Sequence, residues 1–333
     1  MATASVVASR TPAIHRRIAQ FAWATLAYNV AVIVWGAYVR ATGAGAGCGN
    51  HWPLCNGEVI PRGARLETLI EFSHRASSGI AAILVVGLCI ACWIRLPKKH
   101  PARIASIVAA LLMLSEALLG AALVKFELVA QNRSIARAIS LPIHSTNTML
   151  LLAAIAVTAL WLSADPQTLR WTKKGSWLAA STLTMLLITT AAGVIAALGD
   201  TLFPNSTMAE DFSTSSHFLL RLRVLHPALA ILTTIVIAIF VSRASRDNPR
   251  ARKFAGIVGI AVVSQLFLGM LNITLQAPVW LQMIHLCVAD IVWIGTVLVA
   301  AETVLLRPAD IALPAKLGTD NLYRTTLPPA EKS

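Results

Sequence analysis

Residues 69–94 read LIEFSHRASSGIAAILVVGLCIACWI, and this stretch decides the fold class. It carries no charged side chain after Arg75, and it is longer than the roughly 20 apolar residues that cross about 30 Å of hydrocarbon. Backbone groups in lipid must be satisfied within their own segment, so the stretch predicts a membrane-spanning helix. Seven further stretches have the same character. The eight predicted spans are 18–39, 69–94, 104–124, 141–162, 176–198, 222–241, 254–275 and 280–306.

The composition extends this prediction to the whole chain. Of 333 residues, 56% are hydrophobic and 13% are charged, against roughly 45–50% and 25% in soluble globular domains. Mean hydropathy is +0.69. These values exclude a water-soluble α/β enzyme, an intrinsically disordered chain, a fibrous repeat and a disulfide-dense secreted scaffold. We expect an all-α integral membrane protein with eight transmembrane helices.

The net charge of +13 is explained by the distribution of basic residues between the two sides of the membrane. The tails and the loops after spans 2, 4 and 6 hold 19 of the 28 lysines and arginines, and the opposite side holds 9. Since the richer side is normally cytoplasmic, both termini should lie inside a plasma (inner) membrane. A nucleic-acid partner would require these residues on one soluble face, so it is excluded. The long loops 40–68 and 199–221 should then lie outside.

The two halves of the chain are predicted to be copies of one four-helix unit. Span 3 contains SEALLG from Ser115, and span 7 contains SQLFLG from Ser264, 149 residues later. Both halves start on the same side, so two four-helix bundles should be related by a pseudo-twofold axis along the membrane normal. The predicted units are an N-tail (1–17), an N-terminal bundle (18–162), a linker (163–175), a C-terminal bundle (176–306) and a C-tail (307–333).

Each even-numbered span begins, near its outer end, with a histidine. A single histidine there is more often an interfacial anchor, but four at equivalent positions are hard to explain as anchors, a task that Trp and Tyr normally perform. Two imidazoles facing each other in a bundle suit the axial positions of a heme iron. A zinc ion would favour further Cys or carboxylate ligands that recur in both halves, and none does. These residues predict two porphyrin sites, one per half: His74 with His144, and His226 with His285.

The residues around the histidines differ between the halves. Glu71 lies one helical turn before His74, and the other three histidines have no carboxylate at that position. The N-terminal half is therefore equipped for proton chemistry, which separates a substrate site from a redox site. Four arginines at the same outer edge are candidates for pairing with porphyrin propionates, with lipid headgroup contact as the alternative. They are Arg40, Arg75, Arg221 and Arg223.

These stretches together resemble the heme A synthase family. The resemblance is carried by GAYVRATGAG (36–45), CGNHWPLCNG (48–57), EFSHR (71–75), LHP (225–227) and the helices of His144 and His285. It implies oxidation of the C8 methyl group of heme O to a formyl group, the last step to the heme A of cytochrome oxidases. It also implies heme O as substrate, and it admits heme O synthase, a redox partner and a homo-oligomer as partners.

The resemblance assigns a role to each histidine pair. It implies that His226 and His285 hold a heme b cofactor, that His74 and His144 bind the substrate heme, and that Glu71 is catalytic. Glu116 departs from the resemblance to the family, because an amide is expected at this position and the equivalent position in the C-terminal half is Gln265. We assign Glu116 no catalytic role on the sequence alone.

Three alternatives stay open at this point. The chain could be a di-heme electron-transfer cytochrome, although that function favours hemes near opposite membrane faces, or a heme transporter, which would not need Glu71. Glu71 could simply pair with an arginine at the interface. Cys48 and Cys55 should form a disulfide in the first outer loop, either as a structural staple or as a thiol pair that exchanges with a partner.

Overall fold

Eight long apolar helices form the protein, as the sequence predicts, so it is a multi-pass membrane protein. The computed structural model describes residues 13–62, 65–164, 170–171, 175–204 and 206–306. The helices are α1 Ala13–Ala41, α2 Leu66–Arg95, α3 Pro101–Lys125, α4 Ile135–Ala164, α5 Ser176–Leu202, α6 Met208–Asp211, α7 Phe218–Arg223, α8 Leu225–Asp247, α9 Pro249–Thr274 and α10 Val279–Val304. The sixth span consists of α7 and α8 together.

The third helix of each half begins and ends in the same way. A polar side chain caps each first turn and a proline occupies its first position: His100 precedes Pro101 in α3, and Asn248 precedes Pro249 in α9. Each helix is followed by a non-glycine residue in the left-handed region, Glu127 (φ 54°) after α3 and Gln276 (φ 57°) after α9. The sequence repeat therefore extends to the backbone.

The helices of each half pack in the same order. In the N-terminal half α1 contacts α2 and α4, and α3 contacts α2 and α4; in the C-terminal half α5, α8, α9 and α10 repeat this arrangement. The most buried helices, α4 and α10, lie between the halves, where the Trp293 indole of α10 donates to the Met149 carbonyl of α4 at 2.7 Å. The predicted pseudo-twofold axis stays a prediction.

The peripheral helices present apolar side chains outward. Ile83 on α2 is 72% exposed and Ile260 on α9 is 73% exposed. In water such exposure would be unfavourable, whereas in a bilayer these side chains contact lipid. The core beneath them is built from small and branched residues, with Ala22, Leu88, Leu152 and Val258 fully buried or nearly so.

The two ends of the C-terminal half meet. The two-residue strand β1 (Arg170–Trp171) pairs antiparallel with β2 (Leu305–Leu306). Just after β1, a Cβ placed on Gly175 would lie 3.5 Å from the Thr303 methyl group, at the end of α10. Most of the predicted linker 163–175 and the C-tail 307–333 lie outside the described residues.

Most of the helices are longer than the sequence predicts, both at the end of the bundle that carries the two long loops (the long-loop end) and at the opposite end. Residues 13–17, predicted as part of the N-tail, belong to α1, while residues 1–12 lie outside the described residues. The helix α5 continues to Leu202, into the predicted loop 199–221, which also contains α6 and α7. The helices of His74, His144 and His285 begin six to nine residues before them, so these histidines lie about 9–14 Å below the helix ends.

Candidate functional site

Every one of the four predicted histidines faces a glycine on the preceding long helix. A Cβ placed on Gly36 of α1 would lie 2.7 Å from Cε1 of His74, and one on Gly193 of α5 would lie 2.9 Å from Cε1 of His226. The other two pairs are looser: a Cβ on Gly120 would lie 3.9 Å from His144, and one on Gly269 would lie 3.4 Å from His285. The missing side chains leave room for the imidazoles against the neighbouring helix.

The two imidazoles of the C-terminal half face each other at a distance that suits a shared metal. The ring centroids of His226 and His285 are 6.3 Å apart and the ring planes are nearly perpendicular, at 86°. With a metal–nitrogen bond of about 2 Å and a ring radius of about 1.1 Å, two rings on one metal ion have centroids about 6 Å apart. The separation therefore fits two axial ligands of one iron.

Hydrogen bonding at the imidazoles differs from site to site. Nδ1 of His226 lies 3.1 Å from the Thr189 carbonyl oxygen, an arrangement that keeps the proton on Nδ1 and leaves Nε2 for a metal. Nδ1 is buried without a hydrogen-bond partner among the described residues in His74, His144 and His285. Nε2 of His285 lies 3.1 Å from the Gln265 amide nitrogen, so this amide must move aside when Nε2 ligates a metal.

Glu71, beside His74, is 3% exposed and already engaged on both oxygens. The Cys48 amide donates to Oε2 at 2.8 Å, and Arg75 donates to Oε1 from Nη2 at 2.5 Å and from Nε at 3.1 Å. The interfacial ion pair that the sequence left as an alternative is therefore present. Arg75 also donates to the carbonyl oxygens of His51 and Leu54, so it joins α2 to the first loop.

The predicted disulfide between Cys48 and Cys55 is confirmed. Both cysteines are buried, and the loop that they close lies directly on the start of α2. The Thr68 hydroxyl donates to the Gly47 carbonyl oxygen at 2.8 Å, and a Cβ on Gly47 would lie only 2.5 Å from the Glu67 carbonyl. The disulfide loop and the Glu71 carboxylate thus form one packed unit.

Comparison with known proteins decides the family. The model of the cytochrome oxidase assembly protein family matches residues 19–297. The chain belongs to this family. It is 45% identical over 253 residues to a protoheme IX farnesyltransferase of Thermus thermophilus, an alignment that covers 74% of this chain and 41% of that protein.

Two heme A synthases are also similar to this member of the cytochrome oxidase assembly protein family. The enzyme of Alkalihalophilus pseudofirmus is 35% identical over 45% of this chain and 48% of its own length. That of Bacillus mycoides is 45% identical over 28% of this chain and 30% of its own length. The chain thus spans less than half the length of each of these three relatives.

In this family member, four arginines are predicted to bind propionates. Three of them form hydrogen bonds or ion pairs with other protein groups. Besides Arg75, Arg40 donates to the Ala197 carbonyl and the Thr201 hydroxyl of α5, both at 2.6 Å, and to the Gln282 side chain of α10 at 3.0 Å. Arg223 binds the carboxylates of Asp200 at 2.8 Å and Asp211 at 2.6 Å. Arg221 is exposed.

Sequence reasoning missed the partners of these arginines. Asp200, Asp211 and Gln282 have no role in the prediction, although Gln282 and Arg223 occupy the position three residues before a histidine, as Glu71 does. At all three positions, Glu71, Arg223 and Gln282, the side chain links a histidine-bearing span to another segment through hydrogen bonds or an ion pair. The available signal was that a cation at a membrane edge requires an anion nearby, and the second long loop contains two aspartates.

The residues at these sites fit a heme, and the relatives of this chain include heme A synthases. Two imidazoles per half, glycines that make room for them and the 6.3 Å separation of one pair are what axial ligation requires. Within the described residues, no three His, Cys, Asp or Glu side chains gather as metal ligands. Two facing imidazoles suit a metal that brings further ligands of its own, as the iron of a porphyrin does.

Proposed function

We propose that the protein is a heme A synthase, which oxidises the C8 methyl group of heme O to a formyl group. The observation that carries the proposal is the asymmetry between two otherwise similar histidine pairs. Only the pair of His74 and His144 has a carboxylate, Glu71, one helical turn away. The similarity to two heme A synthases supports this function, and the C-terminal pair then has the simpler task of holding a cofactor.

In this proposal the C-terminal pair binds heme b. His226 and His285 would be the axial ligands, with the Thr189 carbonyl fixing the tautomer of His226. Heme b, when bound, supplies one-electron transfer. The chain's own contribution is to orient the two rings and to exclude water, because the helices around them present apolar side chains.

The N-terminal pair would bind heme O as substrate. Converting a methyl group to a formyl group takes two successive oxidations and replaces two C–H bonds with one C=O bond. The conversion removes four electrons and adds one oxygen atom. It balances with water and an electron acceptor, or with one dioxygen molecule and two electrons from a donor at each of the two steps; that acceptor or donor is the redox partner that we expect. Protons are released or consumed at the porphyrin edge, and Glu71 is the carboxylate positioned to exchange them.

Glu71 retains capacity for this task despite its ion pair. A carboxylate has about four acceptor positions, and the Cys48 amide and the two Arg75 donors use three. The disulfide loop holds Glu71 in place and leaves one acceptor position. Among the propionate candidates, the exposed Arg221 can bind a carboxylate without losing a partner, whereas Arg40, Arg75 and Arg223 would have to exchange one.

We also propose the setting of the enzyme. The charge bias favours an arrangement with both termini in the cytoplasm and the heme sites toward the outer face of a plasma (inner) membrane. The name of the Thermus relative describes attachment of a farnesyl group to protoheme, the step that would produce heme O. A heme O synthase is therefore the proposed source of substrate, and a homo-oligomer is compatible with this arrangement.

The test is to express the full chain with a source of heme O in a host that makes no heme A, and then to weigh the extracted porphyrins. We expect a product that has gained one oxygen atom and lost two hydrogen atoms relative to heme O. The matched control is His74→Ala with His144→Ala, which should retain heme b and form no product. If the unaltered chain yields only heme b and heme O, the proposal is wrong.

One observation favours a second candidate, a di-heme electron-transfer cytochrome. Glu71 is paired with Arg75, as a purely structural carboxylate would be. In that case both sites would hold heme b, both would be reduced and reoxidised, and heme O would leave unchanged. The porphyrin analysis distinguishes the two functions. The aligned segment is less than half of the farnesyltransferase, so we propose no transferase activity.

A further inference from the structure

A second carboxylate, Glu116 of α3, lies beside the N-terminal histidine pair at the centre of a polar cluster within the membrane-spanning helices. The Asn147 amide donates to Oε2 at 2.6 Å, and the Thr148 hydroxyl lies 2.5 Å from Oε1. Asn147 is itself fixed, because it accepts from the Ser115 hydroxyl at 2.7 Å and donates to the Leu112 carbonyl at 3.0 Å. The carboxylate is thus held by donors from α4, the helix that carries His144.

This cluster is present in one half only. The repeat places Gln265 of α9 at the position of Glu116, and aligning His285 with His144 places Val288 and Ala289 at the positions of Asn147 and Thr148. Neither replacement side chain can donate a hydrogen bond. A carboxylate is costly in a membrane-spanning segment. The other half has its own buried carboxylate, Asp290 of α10, but at the position equivalent to Glu116 it carries an amide and none of the donors. The carboxylate at this position therefore calls for a reason specific to the N-terminal half.

The contact that supplies the reason is with His144. Oε1 of Glu116 lies 3.5 Å from Nδ1 of His144, slightly beyond hydrogen-bond distance, and that nitrogen is buried without a hydrogen-bond partner among the described residues. If Nε2 ligates a metal, the proton is on Nδ1 and needs an acceptor. A shift of a few tenths of an ångström would bring Nδ1–H onto Glu116.

We propose that Glu116 is a positioning residue of the N-terminal heme site, acting through His144. Its carboxylate accepts the Nδ1–H of His144, fixes that ring and makes the imidazole a more strongly donating axial ligand. His226 in the other half has a neutral carbonyl at the same nitrogen, so the two sites would hold iron of different reduction potential. The inference rests on the proposed function only in that the N-terminal pair binds a heme.

The test uses the full chain with His285→Ala, so that only the N-terminal histidine pair is complete. Purified protein is titrated with heme b as the probe, and both its affinity and the reduction potential of the bound heme are measured. We expect Glu116→Gln to weaken binding about 10–100-fold and to raise the potential. Thr148→Val is the matched control, because it removes a donor of the cluster and retains the carboxylate, so its potential should stay close to that of the parent.

Each outcome decides one point. If Glu116→Gln and its parent bind heme equally and have equal potentials, Glu116 is structural and the proposal is wrong. If Thr148→Val moves the potential as far as Glu116→Gln, the cluster acts by packing and the proposal is again wrong. Should Glu116→Gln fail to fold, Glu116→Asp, which retracts the carboxylate by one methylene group, should show the same direction of change. If the His285→Ala chain binds no heme, the N-terminal site of the proposed function is rejected as well.

Discussion

In the proposed function, Glu71 serves both structure and chemistry. It is one of 15 acidic residues in the chain, and it is buried where the first loop meets α2. Its partners are a backbone amide of the disulfide loop and an arginine one turn later on the same helix. Removing its charge without removing its shape should therefore separate the two roles.

For Glu71→Gln we expect heme to bind in both halves while heme O accumulates and little heme A forms. The amide still accepts a hydrogen bond from Cys48, but it cannot accept a proton from the substrate. The measurement is the mass of the extracted porphyrins, with Glu67→Gln, an exposed carboxylate on the same helix, as the control. A normal yield of heme A would show that Glu71 is structural.

The histidines of the C-terminal half allow a second experiment at the scale of single residues. In protein purified without added heme, either His226→Ala or His285→Ala should abolish the low-spin heme b spectrum, because one remaining imidazole of the C-terminal pair cannot hold the iron from both sides. The chain should still insert into the membrane, since neither ring belongs to the apolar core. Full heme b content in both single variants would contradict the cofactor assignment.

At the scale of the helix, the contact between α5 and α8 depends on a glycine. A methyl group at Gly193 would come within 2.9 Å of the His226 ring, whereas one at Gly120 would stay 3.9 Å from His144. The former is closer than van der Waals contact permits, and the latter is ordinary contact.

We therefore expect Gly193→Ala to displace the His226 ring and to lower the heme b content of the purified protein. Gly120→Ala, the same substitution at a glycine that faces a histidine of the other half, should leave the heme b content unchanged and gain slightly in helix propensity. Heme per polypeptide, measured by absorbance against protein concentration, distinguishes the two. Equal losses in both variants would mean that the contact distances do not govern ring placement.

The loop between α1 and α2 contains one short 3₁₀ helix, Ala44–Ala46, and the disulfide closes the segment that follows it. Cys48 and Cys55 are seven residues apart, so the closed ring is short and its entropic stabilisation should be below the roughly 3 kcal/mol of a 15-residue ring. After alkylation, non-reducing mass spectrometry should find Cys48 and Cys55 unmodified by the reagent. It should find Cys89, Cys92 and Cys287 in the thiol form, outside any disulfide. Alkylation at Cys48 or Cys55 would contradict the pairing.

At the scale of the whole molecule, the charge distribution predicts which way the bundle is inserted. Reporter fusions at residue 1 and at residue 333 should both be active in the cytoplasm, while a tag placed at Val59, an exposed residue of the first loop, should be accessible from outside. Cytoplasmic accessibility of the tag at Val59 would reverse the orientation and move the heme sites to the inner side.

The same scale shows what the sequence could and could not predict. Eight spans follow from hydropathy because every lipid-facing helix must be apolar over its full length, and the repeat made the four histidines visible as a set. Most helix ends were placed too far inside, because the outermost turns at both ends of the bundle are polar or charged. The partners of Arg40 could not be predicted, since the Ala197 carbonyl lies 157 residues away and any carbonyl oxygen would serve.

The meeting of β1 with β2 has a consequence for how such a molecule could arise. The chain enters and leaves the C-terminal half at adjacent positions, so this half can be joined to another unit without a change in the path of its helices. A gene segment that encodes such a half can be duplicated in tandem, and each copy can still form its own four-helix bundle. Divergence can then proceed separately in the two copies. The two halves differ in this way at one position: the C-terminal half carries Gln265 with apolar neighbours, and the N-terminal half carries Glu116 with a set of donors.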